Sequence, residues 1–283
     1  MELERVNLEK ALEFLKERGF KVVFLALYGA QNYNLKREKS DYDFKAAVVP
    51  LLSDVARNNK PASFVLDASE VFDGQIDVKD IRLMVDQWKK GSSNFMELLF
   101  SDWVWVNPEF EEMQWFVDNR DAISHANELG AVKAMFGQLT EKHHALTHPY
   151  PVQIDEINEV GFAGKQLSHE MRLADMLEHF HKLSYKELLN PSVVEFPEHA
   201  DLQAERAERF ELIKAVKDRK AGLSLEVALE WGQQFEDVAR QLVDSMVAAD
   251  NLEFNQPLLD KMDDKKFMIV EKALRMEVLN DAS

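Results

Sequence analysis

The 283-residue chain is too long for a minimal single core and suits one large domain or two ordinary ones. Apolar residues at 46% and charged residues at 30% exclude wholesale disorder and collagen-like repetition. Thirty-four Lys and Arg against 51 Asp and Glu leave a net charge of −17, which disfavours an extended grip on nucleic acid; the absence of Cys excludes disulfides, Cys-bearing zinc sites and a thiol nucleophile.

The opening Met1 to Arg5 is mixed and acid-bearing, unlike the n-region of a signal peptide. Leu8, Ala11, Leu12 and Leu15 follow at helical spacing, and Arg18-Gly19 supplies a base and a C-cap glycine. Lys21 to Tyr28 is short, apolar and rich in β-branched and aromatic residues, the pattern of a buried strand. Its apolar run is far below the ~20 residues of a membrane helix, so a cytosolic protein is expected, with no membrane partner. A polar stretch, Gln31 to Ser40, precedes a second strand at Asp41 to Val49. Phe64 to Phe72 and Gln75 to Ile81 supply two more candidate strands.

From Leu83 the texture becomes helical, with Leu83, Val85 and Trp88, then Phe95, Leu98 and Leu99, around a break at Gly91 to Asn94. Helices are predicted over 126–147, 155–182, 201–220, 224–249 and 258–278. Gly222 gives a stop, and Ser224 with Glu226 opens the next helix. His148-Pro149-Tyr150-Pro151, Asn190-Pro191 and Pro197 interrupt the pattern. The expected fold is α+β: a small mixed-sheet domain over 1–122, then an all-helical domain over 123–283.

Chemistry concentrates where the first strand ends. Tyr28-Gly29-Ala30 places a glycine where backbone can turn tightly and amides can meet phosphate oxygens. The next strand opens with Asp41 and Asp43 at i and i+2, which puts both carboxylates on one face and Tyr42 and Phe44 on the other. Carboxylates about 6.6 Å apart along a strand can share ligands of two Mg²⁺ ions about 3.5–4 Å apart. Taken alone, Ser40 to Asp43 reads rather as a polar turn before an edge strand. The strand and glycine before it, with the matches below, reverse that preference.

The pattern resembles the DNA polymerase β-type nucleotidyltransferases. Their signature is a hydrophobic residue, Gly, then Ser or Gly, a short spacer, and Asp-hydrophobic-Asp on a strand. More narrowly it is similar to a bacterial and phage branch of predicted nucleotidyltransferases. The matching stretches are Gly29 to Leu35 with Ser40-Asp41-Tyr42-Asp43, Asp77-Val78-Lys79, Gly91 to Phe100 with Glu97, the helix bearing Lys165, His169 and Arg172, and the turn Lys217 to Ser224. Two departures stand out: Ala30 replaces Ser or Gly, losing a hydroxyl, and Asn34 replaces a common Gly, a position where Asn tolerates positive φ.

The resemblance implies transfer of a nucleotidyl group from an NTP to an acceptor hydroxyl, with pyrophosphate released. It makes Asp41, Asp43 and Asp77 the ligands of two Mg²⁺ ions, or Mn²⁺ in their place, and makes Asp77 the group that draws the acceptor proton. Gly29 and Ala30 would cradle the triphosphate, and Lys165, His169 and Arg172 would hold triphosphate or acceptor in a cleft between the domains. From the residues alone, that stripe reads as a solvated face pairing with Glu170, Asp175 or Glu178. Asp80 competes with Asp77 but suits the N-cap of the following helix, and Asp73 suits a turn beside Gly74.

Glu97 suits a structural anchor or a partner behind the metal ligands. His143, His144 and His148, with His179 and His181, suit ordinary helix positions. Lys36-Arg37-Glu38-Lys39 suits a solvated turn, or a segment that swings over a nucleotide. Two other functions fit the same chain: an inactive nucleotide-binding or scaffold descendant, for which Ala30 argues, and an enzyme acting on tRNA or another nucleic-acid end, against which the charge argues.

Overall fold

The computed structural model describes residues 2–36, 40–148, 150–151 and 154–281. Its compact units do not follow the expected boundary after residue 122. The first comprises the chain through Asn127 together with everything from Phe254 onward, and the second is Glu128–Glu253.

The first unit opens with α1 (Glu2–Glu17), then β1 (Val22–Tyr28), a 3₁₀ turn (Gly29–Gln31), β2 (Tyr42–Val48), α2 (Leu52–Ala56), β3 (Ser63–Asp67) and β4 (Gly74–Asp80). It continues with α3 (Ile81–Lys89), α4 (Ser93–Leu99), β5 (Val104–Val106), α5 (Glu111–Asp118) and α6 (Arg120–Ser124). Among the described residues the strands form one mixed sheet in the order β3-β4-β2-β1-β5. β2 and β4 are parallel; the other neighbours are antiparallel.

Strand alternation divides the sheet into two faces. One carries Leu25, Leu27, Phe44, Ala46, Ile76 and Val78, packed with Ala11, Phe14 and Leu15 of α1. The other carries Phe24, whose ring meets Trp88 of α3 edge-on at 5.9 Å; Trp88 in turn meets Phe116 of α5 at 5.2 Å. Each large apolar side chain so buried stabilises by roughly 1.5–3 kcal/mol. Gly74 sets the β2–β4 register, because a Cβ there would lie 1.8 Å from the Tyr42 carbonyl oxygen.

Three expectations of secondary structure differ from what is found. The third strand ends at Asp67, and Ala68 to Phe72 turn back toward Gly74, with Ala68 N donating to Gly74 O at 3.1 Å. β5 lies within a segment expected to be helical; at three residues it is too short to show a period. The third difference is the helix predicted over 155–182.

That helix lies in the second unit, which runs α7 (Glu128–His144), α8 (Ile154–Val160), α9 (Gly164–His179), α10 (Tyr185–Leu189), α11 (Ala200–Lys217) and α12 (Leu225–Ala248). α8 and α9 are separate helices, divided at Gly161, whose φ of +86° ends α8. α9 is the central rod, packed by α7, α11 and α12. The unit begins and ends side by side: Glu128 N donates to Glu253 O at 3.0 Å and Glu253 N to Glu128 Oε2 at 2.8 Å.

The chain then returns to the first unit through α13 (Gln256–Asp281), which packs on α3 and α5 and buries Leu259, Met262, Ile269 and Ala273. Its helical periodicity matches that of the inserted helices. Only packing reveals which unit it covers. No described helix is long and apolar enough to cross a membrane.

Candidate functional site

The site is built where β1 ends and β2 begins. Gly29 follows Tyr28 with φ +82°, and the position of a Cβ there is open space. The tight turn is held by Asn32 N donating to Gly29 O at 3.0 Å and Leu35 N to Ala30 O at 2.9 Å. Asn34 has φ +55°, the conformation for which Asn substitutes for Gly.

Glu97 anchors this turn. It is 2% exposed, and its Oε2 accepts from Gly29 N at 3.2 Å and Asn32 Nδ2 at 3.4 Å. The Gly29 amide therefore points at an internal carboxylate, which departs from the expectation that it faces a phosphate. Lys36 pairs with Glu4 at 2.9 Å and donates to the Tyr42 hydroxyl at 3.2 Å, while Arg37, Glu38 and Lys39 lie outside the described residues.

Asp41 is exposed just ahead of β2, and its carbonyl accepts from Gln31 Nε2 at 3.0 Å. Asp43 is half-buried, opposite Tyr28 on β1 and opposite Gln75 on β4. Asp77 lies on the same face, two residues further along β4 and opposite Lys45. Register thus gathers Tyr28, Asp43, Lys45, Asp77 and Lys79 on one face.

Asp77 is held between two ammonium groups: Lys45 Nζ lies 3.3 Å from its Oδ2 and Lys79 Nζ 2.9 Å from its Oδ1. Lys45 also sits 4.8 Å over the Tyr28 ring and 4.2 Å over the Phe95 ring of α4, a cation–π cage. Burial pushes the Lys45 ammonium below its ordinary value, against the pull of Asp77 and Glu97. Burial also pushes the Tyr28 phenol up, reinforced by the carboxylates of Asp43, Asp77, Glu97 and Asp41, so Tyr28 stays protonated. Sequence reasoning gives neither Lys45 nor Lys79 a role in the site. The signal is nonetheless there, since Asp43 and Asp77 are each followed two residues on by Lys, and period 2 keeps all four side chains on one face.

Carboxylate oxygens are the donors that hard cations such as Mg²⁺ take, so Asp41 and Asp43 suit such an ion by type. Asp77 is engaged by the two lysines, and among the described residues no group of three or more His, Asp or Glu side chains is arranged to hold a metal. The expected three-carboxylate set is therefore not assembled in this arrangement. Asp80 does cap α3: its Oδ1 accepts from Arg82 N at 2.8 Å, and Arg82 Nε and Nη2 add bonds at 2.9 and 2.7 Å. Asp73 is a turn residue whose carbonyl accepts from Tyr42 N at 2.8 Å.

In the second unit, Lys165, His169 and Arg172 are graded rather than uniformly presented: Lys165 is exposed, His169 half-buried, and Arg172 buried with Nη1 3.1 Å from Met176 Sδ. Burial, then the charges of Arg172, Lys165, Lys142 and Lys217, holds His169 well below the ordinary imidazole range, so it is neutral at pH 7. The carboxylates considered as partners for this stripe pair elsewhere: Glu170 with His143, Asp175 with Arg206 and Glu178 with Arg209. His179 and His181 meet Asp175 and Glu128, and His144 stacks on His148 at 4.1 Å.

No protein-family model matches the chain, and no curated protein does. Among solved structures the chain is similar to a nucleotidyltransferase-like protein from Exiguobacterium sibiricum 255-15, at 10% identity and a TM-score of 0.29, covering 84% of this chain and 75% of that one. At that identity and score the likeness bears on neither fold nor activity.

Proposed function

We propose that the chain is a nucleotidyltransferase, moving an NMP from an NTP to the hydroxyl of an unidentified acceptor with release of pyrophosphate. The observation that carries this reading is a convergence on the sheet: Asp43 and Asp77 share a face, the Gly29 turn directly follows Tyr28, the β1 partner of Asp43, and Asp41 lies just ahead of β2. Asp41 and Asp43 would hold the divalent cation, which when bound neutralises phosphate charge. Lys45 and Lys79 keep Asp77 oriented toward the site. The open volume over Gly29 admits the triphosphate, and Ala30 contributes backbone alone. Catalysis is then mostly positioning and charge neutralisation. Lys165, His169 and Arg172 are proposed as a further phosphate or acceptor contact in the second unit.

A second reading, nucleotide binding without turnover, is favoured by two observations: the Gly29 amide is taken by Glu97 and Asp77 by two lysines. One experiment separates them. The protein is incubated with each labelled NTP, Mg²⁺ and cell extract, alongside Asp43→Asn and Asp41→Asn. Label carried onto a product by the wild type and by neither variant is the expected outcome. Equal labelling by all three would remove the assignment of the two Asp, and NTP retention with no labelled product would favour the second reading.

A further inference from the structure

At the other end of the strands, about 20 Å along β1 and β2 from Tyr28 and Asp43, a cavity of about 290 Å³ opens in the first unit. Its rim carries Arg18, Lys21, Lys60 and Arg82 against Asp54 and Asp80. Four cations and two anions leave +2, in a chain whose total is −17.

The two carboxylates are already engaged within the protein. Asp80 takes three bonds from Arg82, as described. Asp54 accepts from Leu51 N at 3.3 Å and from Asn59 Nδ2 at 3.0 Å. Among the cations the two lysines are held most loosely, whereas Arg82 is committed to Asp80 through Nε and Nη2 and offers a ligand its Nη1. Arg18 meets Glu70 at 2.6 Å, but the two side chains are 39% and 66% exposed, and such a surface pair contributes little in water. Among the described residues Lys21 Nζ reaches only the Ala273 carbonyl, at 3.4 Å, longer than a well-formed bond. Lys60 is exposed on the loop that follows α2.

Apolar side chains supply part of the wall: Phe20, Val48, Val49, Pro50 and Leu51 line the cavity, and the Phe20 ring is braced by Phe64 at 5.8 Å. A concave site that combines apolar wall with convergent charges suits a small ligand. Anions are selected by the loosely held lysines beside satisfied carboxylates, and a flat body by an aromatic wall.

We infer that this cavity binds a small phosphorylated molecule with a flat apolar body, its phosphate on Lys21, Lys60 and Arg82 and its body against Phe20 and Pro50. Phosphate is favoured over carboxylate because three separate elements supply cations, matching an anion with three acceptor oxygens. The site is separate from the Asp41–Asp43 end and does not depend on the function proposed there.

The test is calorimetric titration of the full chain with AMP in EDTA, with inorganic phosphate titrated in parallel. Lys60→Glu should weaken AMP by about tenfold or more, the loss of one charge-assisted contact with repulsion added. Lys21→Gln should weaken it by about fivefold, and Asp43→Asn should leave it unchanged. Inorganic phosphate should bind more weakly than AMP. Unchanged melting by circular dichroism would show that the lysine variants fold. The inference is overturned if AMP gives no saturable heat at about millimolar concentration. It is equally overturned if Asp43→Asn abolishes the heat while both lysine variants retain it, or if phosphate alone binds as tightly as AMP.

Discussion

Replacing Glu170 by Gln should make the protein more stable at neutral pH, and increasingly so as the pH rises. Glu170 is fully buried on α9, with Oε1 3.1 Å from His143 Nδ1 of α7. Its Oε2 has no hydrogen-bond partner among the described residues. Opposite stands Gly232 of α12, whose Cβ position lies only 3.1 Å from that oxygen. Burial, then the nearby Glu236 carboxylate, pushes the Glu170 carboxyl from 4.5 up to about 9.

The folded value lies above the ordinary one, so the folded chain prefers the neutral acid and the unfolded chain the carboxylate. The contribution of Glu170 is therefore complete below pH 4.5 and is lost as the pH rises toward 9. At about 1.4 kcal/mol per pH unit, roughly 3 kcal/mol is gone by pH 7 and roughly 6 kcal/mol by pH 9. An amide has no proton to lose. Urea unfolding followed by far-ultraviolet circular dichroism, at several pH values for both proteins, gives the difference curve; carboxylates remote from Glu170 are common to both and cancel. The gap should widen by about 3 kcal/mol between pH 4.5 and pH 7. A flat difference across that window would refute the argument, because Glu170 would then be ionised in the folded chain.

Other perturbations test the packing on which the site depends. Gly74→Ala should cost about 3 kcal/mol or more in urea unfolding, because its Cβ meets backbone rather than a side chain that can turn away; the proposed nucleotidyl transfer should fall with the lost β2–β4 register. A stability within about 0.5 kcal/mol of wild type would show that the register tolerates a shift. Arg206→Ala should cost about 3–5 kcal/mol, since its fully buried guanidinium pairs with Asp175 at 2.6 Å and donates to the Glu187 and Leu188 carbonyls; a melting temperature equal to wild type would contradict this. Asp80→Ala should cost at least about 1 kcal/mol for the lost cap, with Arg82 freed, and should leave the proposed NTP binding intact. Loss of NTP binding in that variant would transfer the role expected of Asp77 to Asp80.

Local pattern alone determined a large part of this protein. Alternation set Asp43 on the face opposite Phe44, the apolar run at Lys21 to Tyr28 set β1, and Ser224 with Val227 N at 3.3 Å fixed the start of α12 as a cap should. These are interactions between residues a few positions apart, so the order of residues encodes them directly. What only the tertiary structure decided are relations between distant residues. Lys45 and Asp77 are 32 positions apart, and the parallel β2–β4 register alone brings them together, turning an expected metal ligand into the centre of an ion-paired cluster. Glu97 beneath Gly29 and α13 against α3 are of the same kind. Burial supplies the rest: the Lys165–His169–Arg172 spacing predicts a common stripe, but α9 is surrounded by α7, α11 and α12, so Arg172 and Lys165 end in opposite environments. A helix's period states which residues share a face, whereas how much of that face other helices cover is set by packing, and the charge state of His169 follows from that cover.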